Sequence, residues 1–151
     1  VRLFGKLIVA VAVNRDKDST FSAEERIAWL ESCTAELDGV RVMQFTGLVV
    51  DLLASQDSRI LLRGIRTFAD FEAEYTMALT NRNISADIEA ETVFVMPTME
   101  LSHYSSRHVK EIASFGGDVR SYLPEEISQE VSRRLAELLG PGTVESTEAP
   151  R

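Results

Sequence analysis

The chain has 151 residues, of which 44% are hydrophobic and 26% charged, with a formal net charge of -8. This length and composition are typical of one globular domain with a sizeable core. The negative charge argues against a nucleic-acid-binding protein, which would present a basic patch. The single cysteine, Cys33, excludes an internal disulfide framework and a multi-cysteine metal site.

The hydrophobic pattern alternates between strands and helices along the chain. In order it predicts a strand at 6–13, a helix at 22–38, a strand at 40–45, a short helix from 48 that ends near 55–57, a strand at 59–62, a helix at 67–81, a loop at 84–90, a strand at 92–96, a helix from 105–106 to 116, and a helix at 125–139. Such alternation favours an α/β fold, with a parallel sheet flanked by helices.

The first two elements carry the clearest local signals. Residues 6–13 form a near-continuous apolar run, which predicts a strand covered on both faces. Ser22 and Glu25 have the spacing of a capping box at a helix start. The core face of that helix is predicted to contain Ile27, Leu30, Cys33, Thr34 and Leu37.

The domain is predicted to cover residues 1–139. Residues 140–151 are rich in Gly, Pro, Ser, Thr and Glu and are predicted to be a flexible tail. No apolar run is long enough to span a membrane and no signal peptide is visible, so a cytoplasmic location is expected.

Two arginines flank a glycine where the third strand ends. Arg63, Gly64 and Arg66 would meet a ligand at the carboxyl edge of the sheet, where α/β folds bind anions. Arginine presents a fork of donors that matches phosphate oxygens, so phosphate is the expected anion. Asp70 and Glu74 lie on one face of the next helix. The alternative is a plain turn whose arginines are solvated or paired with these carboxylates.

The longer string at 63–82, RGIRTFADFEAEYTMALTNR, resembles the signature of bacterial phosphopantetheine adenylyltransferases. The resemblance implies a Rossmann-like nucleotidyltransferase fold. It also implies transfer of the adenylyl group of ATP to 4'-phosphopantetheine, which gives dephospho-coenzyme A and pyrophosphate in coenzyme A biosynthesis. Two further segments resemble the same family. They are residues 11–27, which contain Lys17, and residues 45–49, whose sequence is FTGLV.

The resemblance assigns site residues by position in this sequence. Lys17 and Arg66 are implied to be catalytic, and Lys17, Val49 and Arg63 to bind 4'-phosphopantetheine. The implied ATP-binding residues are Gly64, Ile65, Arg66, Glu74, Leu101, Ser102, His103, Tyr104, Ser105, Ser106 and Arg107.

The serine-rich segment at 101–107 precedes a helix, whose first amides form a ready anion site. Ser105 or Ser106 could equally be a helix N-cap, and capping is compatible with phosphate binding. The two histidines, His103 and His108, have no metal-ligand spacing, and no protein metal site is predicted.

The family resemblance also implies a magnesium ion accompanying ATP and a homo-oligomer, specifically a hexamer. The family's nucleotidyltransferase signature, a glycine-phenylalanine-aspartate-proline turn followed by a histidine motif, is expected upstream of Val1. Two alternatives stay open: a related adenylyltransferase with another phosphate acceptor, and a nucleotide-binding regulatory module without turnover.

Overall fold

Strands and helices alternate along the chain, as the sequence predicts. The structure, a computed structural model, describes residues 1–13, 19–85 and 87–140. Its elements are β1 (Leu7–Ala12), α1 (Ala23–Thr34), β2 (Val40–Phe45), α2 (Val49–Ser55), β3 (Ile60–Gly64), α3 (Phe68–Ile84), β4 (Glu91–Val95), α4 (Ser106–Ser114) and α5 (Glu125–Leu139). Short 3-10 turns lie at Met99–Leu101 and Arg120–Tyr122. The predicted α/β class is confirmed.

The chain divides into two compact units, which we describe separately. The first unit comprises residues 1–44 and 104–151 and contains the two-stranded sheet β1-β2. Helices α1, α4 and α5 supply its core through Trp29, Val109, Ala113, Val131 and Leu135. The edge of the Trp29 ring meets Phe21, with 4.8 Å between ring centroids.

The second unit comprises residues 45–103 and contains the parallel pair β3-β4. Their register runs from Ile60 opposite Glu91 to Gly64 opposite Val95. Helix α3 connects the two strands, so β3, α3 and β4 form one parallel crossover unit. Val50 and Leu53 of α2 and Ala90 form a small core in this unit.

The predicted start of α1 is confirmed. Ser22 is the N-cap, its hydroxyl accepts from the Glu25 amide at 3.1 Å, and the Glu25 carboxylate accepts from the Ser22 amide at 2.8 Å. The Gly116-Gly117 stop of α4 is also confirmed, because the Gly117 amide donates to the Ile112 carbonyl. Helix α5 has the predicted start and end.

The predicted end of α1 is wrong, and the predicted core face omits Trp29. The helix ends at Thr34, and Leu37 is 54% exposed in the turn that follows. Trp29 is the buried residue of the helix, while Ile27, Leu30, Cys33 and Thr34 of the predicted face are half-buried. An indole buries far more apolar surface than the predicted leucine, so it decides which side of the helix faces inward.

Two strands differ from the prediction as well. In β1 only Val11 is buried while Ala10 and Ala12 are exposed, so the strand is not covered on both faces. Strand β3 is half-buried. It continues past the predicted end at residue 62, because Arg63 and Gly64 still pair with Phe94 and Val95 of β4.

Helix α3 is longer than predicted and ends at Ile84. Asn81 in its last turn and the C-cap Ser85 are both buried. The predicted loop at 84–90 therefore begins at the helix end. Among the described residues, no helix has both the length and the apolar character needed to cross a bilayer.

Candidate active site

The carboxyl end of β3 presents an open stretch of backbone. The Ile65 amide donates to the Val95 carbonyl at 3.0 Å, which carries the β3-β4 ladder one residue past Gly64. A Cβ added to Gly64 would meet no atom of another described residue within 4 Å. The main chain here has room for a close approach, and ligand contact at Gly64 stays a prediction.

Arg63 is held by a two-pronged pair with Glu74. The Arg63 Nε donates to Glu74 Oε2 at 2.6 Å, and its Nη2 donates to Glu74 Oε1 at 2.5 Å. The hydrogen bonds that Arg63 donates to Glu74 raise the pKa of Arg63, against the opposing effect of burial. Such forked pairs fix the guanidinium plane as well as its charge.

Arg66 is paired more loosely at the start of α3. Its Nε lies 3.4 Å from Asp70 Oδ2, and its backbone amide donates to the same oxygen at 3.2 Å. Thr67 is the N-cap of the helix and accepts from the Asp70 amide at 3.1 Å. Asp70 therefore holds both the backbone and the side chain of Arg66 at the helix entrance.

Arg63 and Arg66 are thus paired with two carboxylates of α3, Glu74 and Asp70, which lie one helical turn apart. This is the pairing that the sequence left open as an alternative to ligand contact. It does not remove the capacity to bind phosphate, because a guanidinium carries five N–H donors and Glu74 takes two of those of Arg63. Phosphate binding by Arg63 and Arg66 stays a prediction.

An aromatic group beside Arg63 was not found by sequence reasoning. Phe94 lies directly opposite Arg63 in the β3-β4 register, so their side chains share one face of the sheet. Phe71 of α3 packs edge-on against Phe94 and stacks on Tyr75, each with 5.7 Å between ring centroids. Only the parallel register, which no sequence pattern gave, could have revealed this neighbourhood.

The predicted ATP loop crosses the boundary between the two units. Leu101, Ser102 and His103 belong to the second unit, where Ser102 Oγ donates to the Met99 carbonyl at 2.8 Å and closes a 3-10 turn. Leu101 is exposed.

The remaining loop residues, Tyr104 to Arg107, belong to the first unit. Ser105 is the N-cap of α4 and accepts from the His108 amide at 3.2 Å, while Ser106 and Arg107 are exposed in the first turn. The predicted capping role of Ser105 is confirmed. Tyr104 donates from its hydroxyl to the Ser121 carbonyl at 3.4 Å.

Two further predicted site residues are Val49 and Lys17. Val49 is the first residue of α2 and packs against the Val50, Leu53 and Ala90 cluster. Lys17 lies outside the described residues. Within the second unit the structure therefore brings together Arg63, Gly64, Ile65, Arg66 and Glu74. Among the described residues, no group of three or more His, Cys, Asp or Glu side chains could hold a metal ion.

Comparison with known proteins identifies the family of this chain. The family model for cytidylyltransferase-like proteins matches residues 1–112. A phosphopantetheine adenylyltransferase of Clostridium perfringens is 37% identical over 139 residues, which are 92% of this chain and 84% of the relative. One of Clostridium botulinum strain Eklund 17B is 41% identical over 133 residues, covering 88% and 82%.

The family model covers β1 to β4 and most of α4, and the β3-α3 site lies inside this range. The relatives match across most of both chains, so the likeness is not confined to one motif. The chain therefore belongs to the cytidylyltransferase-like family and, within it, to the phosphopantetheine adenylyltransferases, a group of nucleotidyltransferase enzymes.

Proposed function

We propose that this protein transfers the adenylyl group of ATP to 4'-phosphopantetheine, giving dephospho-coenzyme A and pyrophosphate. The observation that carries the proposal is the oriented guanidinium of Arg63 beside the open backbone of Gly64, at the carboxyl end of a parallel strand. Family membership supplies the reaction class, and this edge supplies a place for two phosphate-bearing substrates.

The reaction is a direct in-line displacement. An oxygen of the acceptor phosphate attacks the α-phosphorus of ATP, and the bond from that phosphorus to the bridging oxygen of the β-phosphate breaks. Pyrophosphate leaves with the electron pair, and no covalent enzyme intermediate forms. Catalysis then depends on positioning and on neutralising charge, which cations and backbone amides can provide.

Each predicted residue has a role in this proposal. Arg63 binds the phosphate of 4'-phosphopantetheine and Val49 contacts its pantetheine arm. Lys17 and Arg66 stabilise the charge that develops on the reacting phosphates. Gly64 and Ile65 offer their backbone to ATP.

The loop residues complete the ATP-binding set of the proposal. They are Leu101, Ser102, His103, Tyr104, Ser105, Ser106 and Arg107. Ser105 as N-cap leaves the exposed first turn of α4 facing solvent, where helix amides favour an anion. Glu74 belongs to this set by resemblance, although both of its carboxylate oxygens accept from Arg63.

Magnesium enters the proposal only as the companion of the ATP phosphates. The described residues include no cluster of three metal-ligating side chains, so the phosphate oxygens would supply most of its ligands. The ion would neutralise charge on the triphosphate. Within this chain, the arginines of the β3 edge are the groups that orient the phosphates.

A homo-oligomer, specifically a hexamer, and a cytoplasmic location are part of the same proposal. Support for self-association comes from α3, where Phe68, Phe71, Tyr75 and Leu79 are exposed. Their spacing of three or four residues places them on one face of the helix. Exposed apolar stripes of this kind mark interaction surfaces.

The experiment that tests the reaction measures pyrophosphate release with ATP, magnesium and 4'-phosphopantetheine. It is run on this chain and on a version extended to the upstream start of its gene. We expect turnover that requires both substrates. If neither protein turns over although ATP binds, the proposal is overturned and a regulatory nucleotide-binding module is favoured. Turnover only with another acceptor would favour a related adenylyltransferase.

A further inference from the structure

We infer that Tyr122 is a positioning residue, which serves ATP binding through Tyr104 at the start of α4. This inference rests on the proposed function and deepens it, because it adds a support to the ATP-binding segment at 104–107. The support is the turn at 118–122, which contains the 3-10 turn Arg120–Tyr122. The segment and the turn both belong to the first unit.

The first observation is the contact between Tyr104 and this turn. The rings of Tyr104 and Tyr122 lie 5.5 Å apart between centroids and are tilted by 57°. The Tyr104 hydroxyl also donates to the Ser121 carbonyl, at 3.4 Å. That distance is long for an O–H···O hydrogen bond, so the ring contact is the stronger of the two links.

The second observation is that the turn is anchored in the core. Val119 is 2% exposed and belongs to the core cluster that contains Val131 and Leu135 of α5. Tyr122 packs against the same cluster, and its backbone amide donates to the Val119 carbonyl at 3.0 Å, which closes the turn. Tyr122 can therefore hold a neighbouring side chain with little motion of its own.

A salt bridge fixes the same turn from its exposed side. The Asp118 carboxylate accepts from Arg120 Nε at 3.0 Å, from Arg120 Nη2 at 2.7 Å and from the Arg120 backbone amide at 3.0 Å. An exposed ion pair stabilises little by itself, but a forked pair that also takes a backbone amide fixes the local backbone. The turn is therefore held by Val119 in the core and by Asp118 at the surface.

The third observation is the place of Tyr104 in the chain. It directly precedes Ser105, the N-cap of α4, whose side chain accepts from the His108 amide. Val109 and Ala113 are the buried residues of this helix. The contact of Tyr104 with the turn therefore holds the entrance of the helix, while the core holds its body.

The position of this entrance matters for a ligand because hydrogen bonds depend steeply on geometry. The backbone amides of Ser106 and Arg107 lie in the exposed first turn of α4, where phosphates of ATP are proposed to bind. A small tilt of the entrance would misdirect these amides without unfolding the domain. Tyr122 lies outside the predicted ATP-binding set, so we expect its effect on ATP to pass through Tyr104.

The test replaces Tyr122 with leucine and measures ATP binding by calorimetry. Leucine keeps an apolar side chain against the core but loses the ring contact with Tyr104, so the Kd for ATP should rise about fivefold. Tyr122→Phe keeps the ring and should bind ATP within about twofold of the wild type. Ile127→Ala is the matched control, because Ile127 packs against the same core from α5 and its truncation should lower the melting temperature without changing the Kd.

A double-mutant cycle with Tyr104→Leu separates positioning from a general loss of stability. If Tyr122 acts through Tyr104, Tyr122→Leu should change the Kd for ATP little once the Tyr104 ring is gone. Equal effects of Tyr122→Leu in the presence and absence of that ring would overturn the inference. A Kd that rises as much in Ile127→Ala or Tyr122→Phe as in Tyr122→Leu would overturn it as well.

A second variant decides the question if Tyr122→Leu does not fold. Asp118→Asn loosens the same turn from its exposed side and leaves the core unchanged. It should weaken ATP binding about twofold, and a Kd equal to that of the wild type would refute the role of the turn.

Calorimetry keeps this inference distinct from the proposed reaction, because it needs no turnover. If the wild type binds ATP but does not turn over, the reaction proposal fails while the Kd values still decide the role of Tyr122. If the wild type turns over and Tyr122→Leu binds ATP equally well, the inference alone fails. A wild type that does not bind ATP would overturn both.

Discussion

Arg63 shows how a single side chain can carry anion-binding chemistry in a chain of net charge -8. The average field of such a chain repels phosphate, so the local arrangement must outweigh it. Pairing with Glu74 cancels part of the arginine charge, yet it fixes the donors in space. At a site of this kind, geometry contributes more than net charge does.

Gly64 provides a prediction at the same scale. Gly64→Ala should leave the melting temperature nearly unchanged, because the new Cβ meets no other described residue within 4 Å and the residue does not need a positive φ. The methyl group should still block a ligand from the backbone, so the KM for ATP should rise by roughly tenfold. Steady-state kinetics and thermal unfolding of the same sample measure both quantities.

The opposite pattern would contradict the proposed role of this backbone. A variant that unfolds several degrees lower would mean that Gly64 is required by the fold. An ATP KM equal to that of the wild type would mean that no ligand approaches the strand end at this residue.

At the scale of elements, the sequence predicted what local chemistry decides. The capping box of Ser22 and Glu25, the glycine stop after α4 and both ends of α5 depend on neighbours within a few residues, and all are confirmed. The end of α1 and the covering of β1 depend on packing with distant parts of the chain. Those two predictions were wrong for that reason.

Ser105 and Ser22 are matched caps that allow a ligand effect to be separated from a stability effect. Each side chain accepts from an amide three residues on, at 3.2 Å and 3.1 Å respectively. Replacing either with alanine should lower the free energy of unfolding by about 0.5–2 kcal/mol. Only Ser105→Ala should also weaken ATP binding, as measured by calorimetry, since only that cap precedes the predicted triphosphate loop.

Equal ATP affinities in Ser105→Ala and Ser22→Ala would show that the start of α4 does not contribute to nucleotide binding. A stability loss without an affinity loss in Ser105→Ala would leave that serine with a capping role alone.

Glu25 links the capping box of α1 to α5 and makes stability depend on pH. Its carboxylate accepts from Arg134 Nε at 2.6 Å. That hydrogen bond and, to a smaller extent, the one donated by the Ser22 amide hold the pKa of Glu25 below its ordinary value of 4.5. A lowered pKa stabilises the fold above about pH 4.5, and the stabilisation is lost as the pH falls through the lowered value.

The variant Glu25→Gln should therefore be less stable than the wild type at pH 7, and the difference should be smaller at pH 3. Urea unfolding at both values measures the difference. Glu31→Gln, on the exposed side of the same helix, should show neither effect. If the difference in unfolding free energy between Glu25→Gln and the wild type is the same at pH 7 and pH 3, the ion pair of Glu25 with Arg134 does not make stability depend on pH.

At the scale of the whole molecule, the candidate site is partly readable from sequence. Arg63, Gly64, Arg66 and Glu74 were found because their spacing around one strand end and one helix face is local. Phe94 was not, because it reaches the site through strand pairing. Sequence reasoning assigned Glu74 to ATP by resemblance, and only coordinates could reveal that both of its oxygens accept from Arg63.

Self-association is the prediction that belongs to the whole molecule, and helix α3 provides a direct test. Phe68 is 94% exposed and shares one helix face with Phe71, Tyr75 and Leu79. A lysine at Leu79 places a charge within an interface formed by this face, which should shift the protein to smaller species in sedimentation velocity. Met77→Lys is the matched control, because Met77 is similarly exposed on the opposite face of α3.

The physical reason for the contrast is desolvation. A lysine buried at an interface loses its hydration without a partner, whereas one on the opposite face stays in water. We therefore expect wild type and Met77→Lys to sediment alike and Leu79→Lys to sediment more slowly. A wild type that is monomeric at micromolar concentrations, or a Leu79→Lys variant that sediments as the wild type does, would remove α3 as the surface through which this protein associates.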